Sequence, residues 1–527
     1  MTDLHPALID RLPAELLEKI FILTHAHGSR PVRAPSAASL SQVCRRWREI
    51  SLGSGCRCLW SSALPYRSPE WTELCLKRCG STPPNLNLVY DKTTIGDAGY
   101  QASVSLALAP LDRAHSLRLT VESDLTADVI VSLDNAFKNL SQAGTPSLDL
   151  SEISVVFGEN PAASIGYVSH RVILHLLGSQ LPPFSRLRTL SLIRCRHRHL
   201  PSSSNLFSIS LRSLTLHDTR FWRTIDGMMR LLQNIPFLET LEIKSASEQF
   251  NSLPSTPPAP RSIPFPNMRR LLLEGSWQEN IVIFSWLAIP PTAHLTIGSN
   301  NDAYPDFDPS NSALFESAAE VFRAHFASAL SRGAHYDEPA IAADFEMFTV
   351  SASPASATAE TADHTVGTEH CDLLPAHLQL SVPWTDDPDV RQRLLNIFST
   401  LPIFTMARTL HLDPFLWQYY PSMIAVYTNV RSLKLESSVE ASLDDHGIAE
   451  QGALFPALTC VCFIGVDLSA EVLPRLVDQL LVTHSALQDV GFSGCRLGGK
   501  VLVKRSVEEA AQRFQERGIT TSVTNMG

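Results

Sequence analysis

Residues 187–195 read LRTLSLIRC, a short stretch in which apolar and polar side chains alternate. Successive side chains of a β-strand point to opposite faces, so Leu190 and Leu192 share one face while Thr189 and Ser191 share the other. The pattern predicts a strand with one buried face and one exposed face. Because a single strand cannot bury its apolar face alone, the chain must supply similar strands for it to pack beside.

The same spacing of apolar residues recurs along most of the chain. Further copies are Leu211/Leu214/Leu216, Leu238/Leu241/Ile243, Met268/Leu271/Leu273, Val430/Leu433/Leu435, Leu458/Val461/Phe463, Leu487/Val490/Phe492 and, more weakly, Ala407/Leu410/Leu412. Shorter echoes occur at Leu117/Leu119, Leu148/Leu150, Leu295/Ile297, Phe345/Met347 and Leu378/Leu380. Within each of two runs, from Leu190 to Leu295 and from Leu410 to Val490, the central residue advances by 23 to 30 residues at each step. This is the period of irregular leucine-rich repeats.

The repeated portion therefore resembles leucine-rich-repeat proteins. The resemblance implies an irregular solenoid, a curved parallel sheet with helices on its convex side. Outward-facing strand residues are then the candidates for contact with a target: Thr189, Ser191, Ser213, Thr215, Ser432 and Lys434. The alternative is a generic layered α/β fold, in which leucine-rich alternation is also common.

Amphipathic segments between the strands predict helices. They cover residues 225–233, 312–332, 468–481 and 507–517, judged by apolar residues at helical spacing. The last helix precedes a final strand near 519–523, and we expect the two to cap the array. Two further segments, the Ser/Pro-rich 245–266 and the Ser/Ala/Thr-rich 351–370, predict exposed, flexible loops.

The N-terminal 60 residues follow a different pattern. Residues 12–26 read LPAELLEKIFILTHA, and residues 39–51 read SLSQVCRRWREIS. Pro13 suits the first helical position, where its missing N–H costs nothing. Apolar residues in both segments fall at helical spacing, so each predicts a short amphipathic helix. Two such helices cannot bury both apolar faces by themselves, and a partner surface is therefore plausible.

The ordered residues of these two segments resemble the F-box. The pattern is Leu-Pro-x-Glu-Leu-Leu-x-x-Ile-Phe from residue 12, Ser-x-Val-Cys-Arg-x-Trp-Arg-x-Ile from residue 41, and Leu59-Trp60. The resemblance implies a three-helix domain over residues 8–62 that docks on the Skp-type adaptor of a Skp–cullin–F-box (SCF) ubiquitin ligase. Carried over onto matching positions, the adaptor-facing and packing set is Leu12, Pro13, Leu16, Ile20, Val43, Cys44 and Trp47. The alternative is a helical hairpin inside a larger domain.

Together these patterns predict an α+α/β chain: an F-box at 8–62, a linker or first cap of the solenoid at 63–110, and a target-recognition repeat domain at 111–527. A chain of 527 residues exceeds the length at which one core keeps growing, which also favours a repeat array or several domains. The formal charge of −10 argues against a non-specific nucleic-acid binder or a protein of anionic membranes. Residues 1–13 lack the pattern of a secretory signal, and residues 281–291 are too short an apolar run to cross a bilayer.

Motifs for catalysis or cofactor binding were not found in the sequence. There is no phosphate-binding loop, nucleophile elbow or His-Glu-x-x-His motif. Cys56 and Cys58, with Cys75 and Cys79, superficially suggest zinc, but the one-residue first spacing is unusual for a structural site. We therefore expect no catalytic residue, no cofactor and no metal. Ten sparse cysteines indicate reduced thiols in a cytoplasmic or nuclear protein.

The leading interpretation is a substrate-recognition subunit of an SCF ubiquitin ligase, not an enzyme in itself. Its partners would be the Skp-type adaptor, through it a cullin–RING ligase, and an unknown protein substrate, with no nucleic acid or membrane. The alternative is an F-box scaffold or regulatory protein that binds partners without directing their degradation. An enzyme would need a motif that the sequence does not provide.

Overall fold

The chain divides into two compact units, residues 1–243 with 249–251 and residues 244–248 with 252–527. The computed structural model describes residues 12–25, 36–62, 64–122, 125, 127–142, 149–158, 173–175, 177, 184–195, 206–219, 221–245, 250, 262–299, 312–331, 339–343, 347–352, 378–383, 388–413, 416, 425–436, 442–443, 455–468, 472–497, 500–501 and 508–524. The first unit joins the predicted F-box, the predicted linker and the first strands in one body.

The first unit begins with short helices and continues with strands. Its helices are α1 (Ala14–His25), α2 (Ser36–Val43), α3 (Arg45–Ser51), α4 (Arg57–Ser61), α5 (Pro69–Cys79), α6 (Ala98–Leu108), α7 (Ala127–Gln142) and α8 (Ile225–Leu232). Short 3₁₀ turns lie at Ser54–Cys56 and Leu111–Arg113. Its strands are β1 (Asn85–Tyr90), β2 (Ser116–Val121), β3 (Glu152–Phe157), β4 (Thr189–Ile193), β5 (Ser213–His217) and β6 (Thr240–Lys244).

The second unit alternates strands and helices. Its strands are β7 (Ile263–Pro264), β8 (Arg270–Gly275), β9 (Leu287–Ala288), β10 (His294–Ser299), β11 (Ala340–Ala343), β12 (Met347–Ala352), β13 (Leu378–Pro383), β14 (Thr409–Leu412), β15 (Ser432–Glu436), β16 (Ser442–Leu443), β17 (Cys460–Ile464), β18 (Asp467–Leu468), β19 (Asp489–Ser493), β20 (Arg496–Leu497), β21 (Lys500–Val501) and β22 (Thr520–Thr524). Its helices are α9 (Trp277–Trp286), α10 (Ser312–Ser331), α11 (Pro388–Ser399), α12 (Pro402–Thr405), α13 (Val472–Thr483) and α14 (Glu508–Gln515).

The strands of the first unit stand side by side in chain order, from β1 to β6. Neighbours from β1 to β5 are parallel, and their register places apolar residues opposite one another. One buried row across these strands is Leu86, Leu117, Ile153, Leu190 and Leu214. Each strand thus buries the same alternate side chains, as the repeat pattern predicts, and the predicted fold class is confirmed. β1 already belongs to this sheet, within the segment predicted as linker or first cap.

The sheet of the second unit contains a departure from the parallel repeat. Its strand order is β8-β10-β13-β12-β11-β14-β15-β17-β19-β22, and β12 runs antiparallel to both β11 and β13. The prediction of a repeat strand at Phe345/Met347 was therefore wrong. Only three residues separate Ala343 from Met347, and a parallel crossover needs a dozen or more. β11 and β12 must consequently form an antiparallel hairpin.

The two predicted loops differ in what the structure describes. At the end of the first, Ile263–Pro264 is not a loop but the short strand β7, which pairs in parallel with β9. Residues 251–261 of that segment lie outside the described residues. In the second, Ser351 and Ala352 belong to β12, while residues 353–370 lie outside the described part. The helices predicted at 225–233, 312–332, 468–481 and 507–517 are confirmed as α8, α10, α13 and α14.

The strand ends repeat a left-handed backbone position. Arg194, Gly465 and Gly494 follow β4, β17 and β19 with φ of 58°, 66° and 61°. At each position the backbone N–H donates to the last residue of the neighbouring strand, as from Gly494 to the Thr524 carbonyl at 2.9 Å. The next residue is then directed into the core, where Cys195 is fully buried. Glycine reaches this conformation without strain, so Arg194 is the costlier version of the same turn.

A turn before each strand repeats as well. The backbone N–H of Leu458 donates to the Phe455 carbonyl at 3.1 Å, and that of Leu487 donates to the His484 carbonyl at 3.1 Å. The first residue of this turn is a buried aromatic or apolar side chain in other repeats: Ile235, Phe265, Phe404, Tyr427 and Phe455. His484 occupies the equivalent place and is only 8% exposed. A titratable ring therefore replaces an apolar one in the core of the second unit.

We predict that the stability of the second unit falls as the pH drops below the ordinary histidine range. Burial lowers the pKa of His484, and the hydrogen bond to the Phe455 backbone only partly opposes this shift. Below about pH 6.5 the unfolded chain takes up a proton that the folded ring excludes, so stability is lost as the pH falls toward the folded pKa. His484→Phe should flatten this dependence in urea unfolding between about pH 5 and 7.5. The same change at the exposed His115 should leave it intact, and a wild-type slope in His484→Phe would contradict the prediction.

No helix in the described part of the chain is both long and apolar enough to cross a membrane.

Candidate interaction surfaces

The N-terminal helices enclose a small apolar core. Leu17 and Phe21 of α1 are buried, as are Leu59 and Trp60 of α4. The Trp60 indole Nε1–H donates to the Ser51 carbonyl at 2.8 Å, which satisfies the polar atom of the ring inside the core. Further buried residues here are Ala37, Ala38, Ile50 and Cys56. The four helices therefore fold around Trp60 and the inner face of α1.

The second predicted helix is broken at Cys44. That residue is extended, with φ −154° and ψ 173°, so α2 ends at Val43 and α3 begins at Arg45. The Cys44 thiol accepts the Trp47 backbone N–H at 3.4 Å and caps α3. The prediction of a continuous helix over 39–51 was wrong, and residues 12–62 contain four α-helices where three were expected. A capping side chain three residues before its donor is typical of a helix start.

Several large apolar side chains of these helices remain exposed. On α1 the exposed fractions are 45% for Leu16, 38% for Ile20 and 62% for Leu23. Residues spaced by three and four share one face of a helix, so these three side chains form a stripe. Val43, at the end of α2, is 60% exposed. An exposed apolar stripe on a helical domain is the kind of surface that a protein partner covers.

The predicted adaptor-facing residues divide between this surface and the packing beneath it. Leu16, Ile20, Val43 and Pro13 are exposed. The Trp47 ring is partly covered and lies against Phe21, with ring centroids 4.9 Å apart. Leu12 and Cys44 are also partly covered. Leu23 was not in the predicted adaptor-facing set, although its spacing from Ile20 places it on the same face.

Residues 9–62 match the F-box-like family. They form an F-box-like domain. This match covers the helices α1 to α4 and leaves the strands outside it. F-box-like domains are protein-interaction modules, and the chain therefore combines such a module with an array of leucine-rich strands.

Comparison with solved structures finds a leucine-rich-repeat protein of Leptospira interrogans. The two chains are 11% identical, and the match covers 84% of this chain and 96% of that one with a TM-score of 0.27. A TM-score this low does not indicate a shared fold. The repeat architecture of this chain is seen in the register of its own strands. No curated protein matches this chain.

The F-box packs directly onto the next elements of the first unit. α4 lies against α5, and the Arg78 guanidinium of α5 stacks over the Trp60 ring at 4.2 Å. Immediately after the F-box, Leu64 bridges to Leu86 of β1. The Leu64 N–H donates to the Asn85 carbonyl at 3.1 Å, and the Asn87 N–H donates to the Leu64 carbonyl at 2.6 Å. The end of the F-box is thus bonded to the edge of the sheet.

Four cysteines lie near this junction: Cys56, Cys58, Cys75 and Cys79. Among the described residues, no group of three or more His, Cys, Asp or Glu side chains is placed to hold a metal ion. Burial raises the pKa of Cys56 to about 11, with Glu18 and Cys58 adding to the shift. Burial also raises the pKa of Cys75 to about 12. Thiols with such pKa values stay protonated at neutral pH and are poor nucleophiles.

The predicted target-facing residues of the first unit lie together on one face of the sheet. Thr189 is paired with Ser213, and Ser191 with Thr215, on the neighbouring strands β4 and β5. All four side chains are half-buried and stand on the face opposite the buried leucines. The rows continue through Glu152 and Ser154 of β3. This face therefore carries short hydroxyl side chains with acidic and basic residues beside them.

A third row on the same face is mostly apolar, and it was missed in the sequence. Val89, Thr120, Val156 and Ile193 lie opposite one another at the carboxyl ends of β1 to β4. On β5 the row ends at His217, whose Nε2 lies 2.9 Å from the Glu242 carboxylate of β6. The face thus grades from hydroxyl groups at one end of the strands to β-branched side chains at the other. Reading every second residue outward along each strand would have revealed it.

The remaining two predicted residues lie in the second unit. Ser432 and Lys434 are half-buried on the outward face of β15. The register places Thr409 and His411 on one side of them, on β14, and two thiols on the other, Cys460 and Cys462 of β17. Acidic residues lie on the same face, Glu436 at the end of β15 and Asp489 of β19 in the row of Ser432 and Cys460. The Cys462 thiol is itself kept protonated, because burial raises its pKa.

Proposed function

We propose that this protein is a substrate-recognition subunit of an SCF ubiquitin ligase. On this proposal the F-box docks a Skp-type adaptor, the adaptor connects it to a cullin–RING ligase, and the outward faces of the strands bind a target protein. The observation that carries the proposal is the F-box-like domain whose apolar side chains, Leu16, Ile20 and Leu23, stay exposed while the rest of its core is closed.

The adaptor is the partner that the F-box favours most strongly. F-box domains generally bind Skp-type adaptors, and an exposed apolar helix face gives such a partner a surface to desolvate. Large apolar side chains at the centre of an interface commonly carry most of its binding energy. Leu16 and Ile20 are therefore the side chains that we propose as anchors, with Val43 and Pro13 beside them.

The strand faces are proposed to recognise a polypeptide. Hydroxyl rows at Thr189 and Ser191 offer donors and acceptors, and the apolar row at Val156 and Ile193 offers surface to bury. A chain with a formal charge of −10 is poorly suited to nucleic acid or to anionic membranes. We propose that the protein works in the cytoplasm or nucleus, where its thiols stay reduced.

The protein's contribution to ubiquitin transfer would be proximity and orientation. Holding a target near the ubiquitin-loaded enzyme replaces a bimolecular encounter with an effectively unimolecular one. No reacting group of this chain is needed for that role, and we propose that it is not an enzyme. The second candidate function is an F-box scaffold that binds partners without directing their degradation.

We predict that Ser191→Arg with Thr215→Arg lowers target capture at least about tenfold, because two long charged side chains would fill the hydroxyl rows. Adaptor capture by the same variant should equal that of wild type, since both changes lie outside the F-box. Quantitative capture from cells with full-length proteins measures both. Gln512→Arg serves as the matched control, because it adds a positive charge at an exposed position of α14, which belongs to the other unit.

Degradation separates the two candidate functions. A target of a substrate receptor should accumulate when Leu16→Asp/Ile20→Asp protein replaces wild type, because the target still binds but the ligase does not. A captured partner whose level and lifetime stay unchanged in that strain would favour the scaffold. Equal capture by wild type and by the Ser191→Arg/Thr215→Arg protein would exclude the hydroxyl rows as the contact surface.

A further inference from the structure

Among the described strands, β22 lies at the end of the sheet of the second unit. β22 pairs in parallel with β19, and no described strand pairs with its other side. The N–H of Thr520 donates to the Gln488 carbonyl at 2.7 Å, and the Thr524 carbonyl accepts from Gly494 at 2.9 Å. Because the backbone groups of successive strand residues point to opposite sides, those of Thr521 and Val523 are directed away from β19.

The side chains of β22 show the same opening. Thr521 and Val523 stand in register with Val490 and Phe492 of β19. Val490 and Phe492 are 1% and 2% exposed, whereas Thr521 and Val523 are only half-buried. α14 packs against β22 and Phe514 is buried, so one face of the strand is covered, while its edge is paired with no strand that the structure describes.

Nothing in the composition of β22 protects this edge. Open edges are usually blocked by charged residues, by proline or by a bulge. Residues 520–524 read TTSVT and contain neither a charge nor a proline. The edge of β1, the first strand of the other unit, is protected. Leu64 forms a β-bridge to Leu86 on that edge, and Pro65 comes directly after Leu64. An uncharged edge of this kind is compatible with itself, since no like charges meet when two copies pair.

We propose that β22 pairs edge to edge with β22 of a second copy of this chain, in an antiparallel, two-fold symmetric dimer. The free backbone groups fix the register. Thr521 of one copy exchanges both N–H···O=C bonds with Val523 of the other, which places Ser522 opposite its own counterpart. Such a contact is isologous and closes on itself, so it gives a dimer and not a filament.

The register supplies a sharp test by crosslinking. Opposite residues of a non-hydrogen-bonded antiparallel pair have Cα atoms about 4.5 Å apart, which is within disulfide range. Ser522→Cys in the full-length chain should therefore form a disulfide-linked dimer under mild oxidation. Thr524→Cys is the matched control, because its counterpart would lie about 14 Å away along the antiparallel pair. The unmodified chain, with its own exposed Cys58, gives the background.

A second variant tests the backbone pairing. Thr521→Pro removes an N–H that points to the open edge and leaves the hydrogen bonds to β19 in place. Added to Ser522→Cys, it should reduce crosslinked dimer at least about tenfold, with a circular-dichroism melt like that of the parent. Light scattering of the unmodified protein should show a concentration-dependent dimer that Thr521→Pro weakens by the same factor. Three results would overturn the proposal: equal crosslinking at 522 and 524, no effect of the proline, or a monomer at all concentrations. A monomer whose edge pairs with a strand of another protein would overturn it as well.

Discussion

Full-length protein carrying Leu16→Asp together with Ile20→Asp is expected to bind a Skp-type adaptor at least about 100-fold more weakly than wild type. Both residues are exposed, at 45% and 38%, so the changes disturb the F-box core far less than changes at the buried Leu17 and Phe21 would. In a docked complex, however, each carboxylate would be buried without a partner, which is strongly unfavourable. Titration of purified adaptor, measured by calorimetry, gives the change in Kd.

The control for this experiment must be an equally exposed apolar residue elsewhere in the same unit. Val131 of α7 is 54% exposed and lies outside the F-box, so Val131→Asp should bind the adaptor like wild type. The double variant should keep the wild-type Tm. Trp47→Ala would be ambiguous, because the Trp47 ring packs on Phe21 and its loss also disturbs the core. Adaptor binding by Leu16→Asp/Ile20→Asp at wild-type strength would exclude this helix face as the docking surface.

Trp60→Ala is expected to destabilise the F-box by about 3–5 kcal/mol, the usual effect of emptying a tryptophan site in a core. The ring is 1% exposed, and its loss leaves the Ser51 carbonyl without its indole donor. It also removes the surface on which the Arg78 guanidinium stacks. Backbone amide hydrogens of α1 to α4 should exchange faster in the full-length variant than in wild type, because a domain this small is only marginally stable.

Two companion variants separate the parts of this effect. Trp71→Ala, at a partly exposed position on α5, should change exchange in the F-box far less. Arg78→Ala should have a small effect, since a cation–π contact contributes about 0.5–2 kcal/mol. If Trp60→Ala left exchange in α1 to α4 at wild-type rates, the ring would not be the centre of this core.

The repeat strands could be predicted from sequence because their geometry is local. Alternation at Leu190 and Leu192 fixes which face is buried, and the same residues are buried in the structure. The hairpin of β11 and β12 could not be read in this way, because Met347 fits the alternation of a repeat and its strand direction depends on the three-residue connection before it. The alternation of residues therefore predicts that a strand forms, whereas the length of the connection before it determines the direction of that strand.

The F-box family could be recognised from ordered residues, but the face of α1 that docks could not. Leu16, Leu17, Ile20 and Phe21 are adjacent apolar residues, and they cover two neighbouring faces of the helix. Packing in the folded domain decides that Leu17 and Phe21 are buried while Leu16 and Ile20 stay exposed. The break at Cys44 was hidden for a similar reason, since a thiol is a rare helix cap and apolar spacing continues across it.

The bonded junction between the F-box and β1 has a mechanical consequence under the proposed function. A flexible tether would let a bound target swing through many positions relative to the ligase. Here Leu64 is hydrogen-bonded to β1, and α4 packs on α5. The adaptor site and the first strands would therefore move together as one rigid body. The choice of which lysine on a target is modified would then be made when the target docks, by the angle at which it is held.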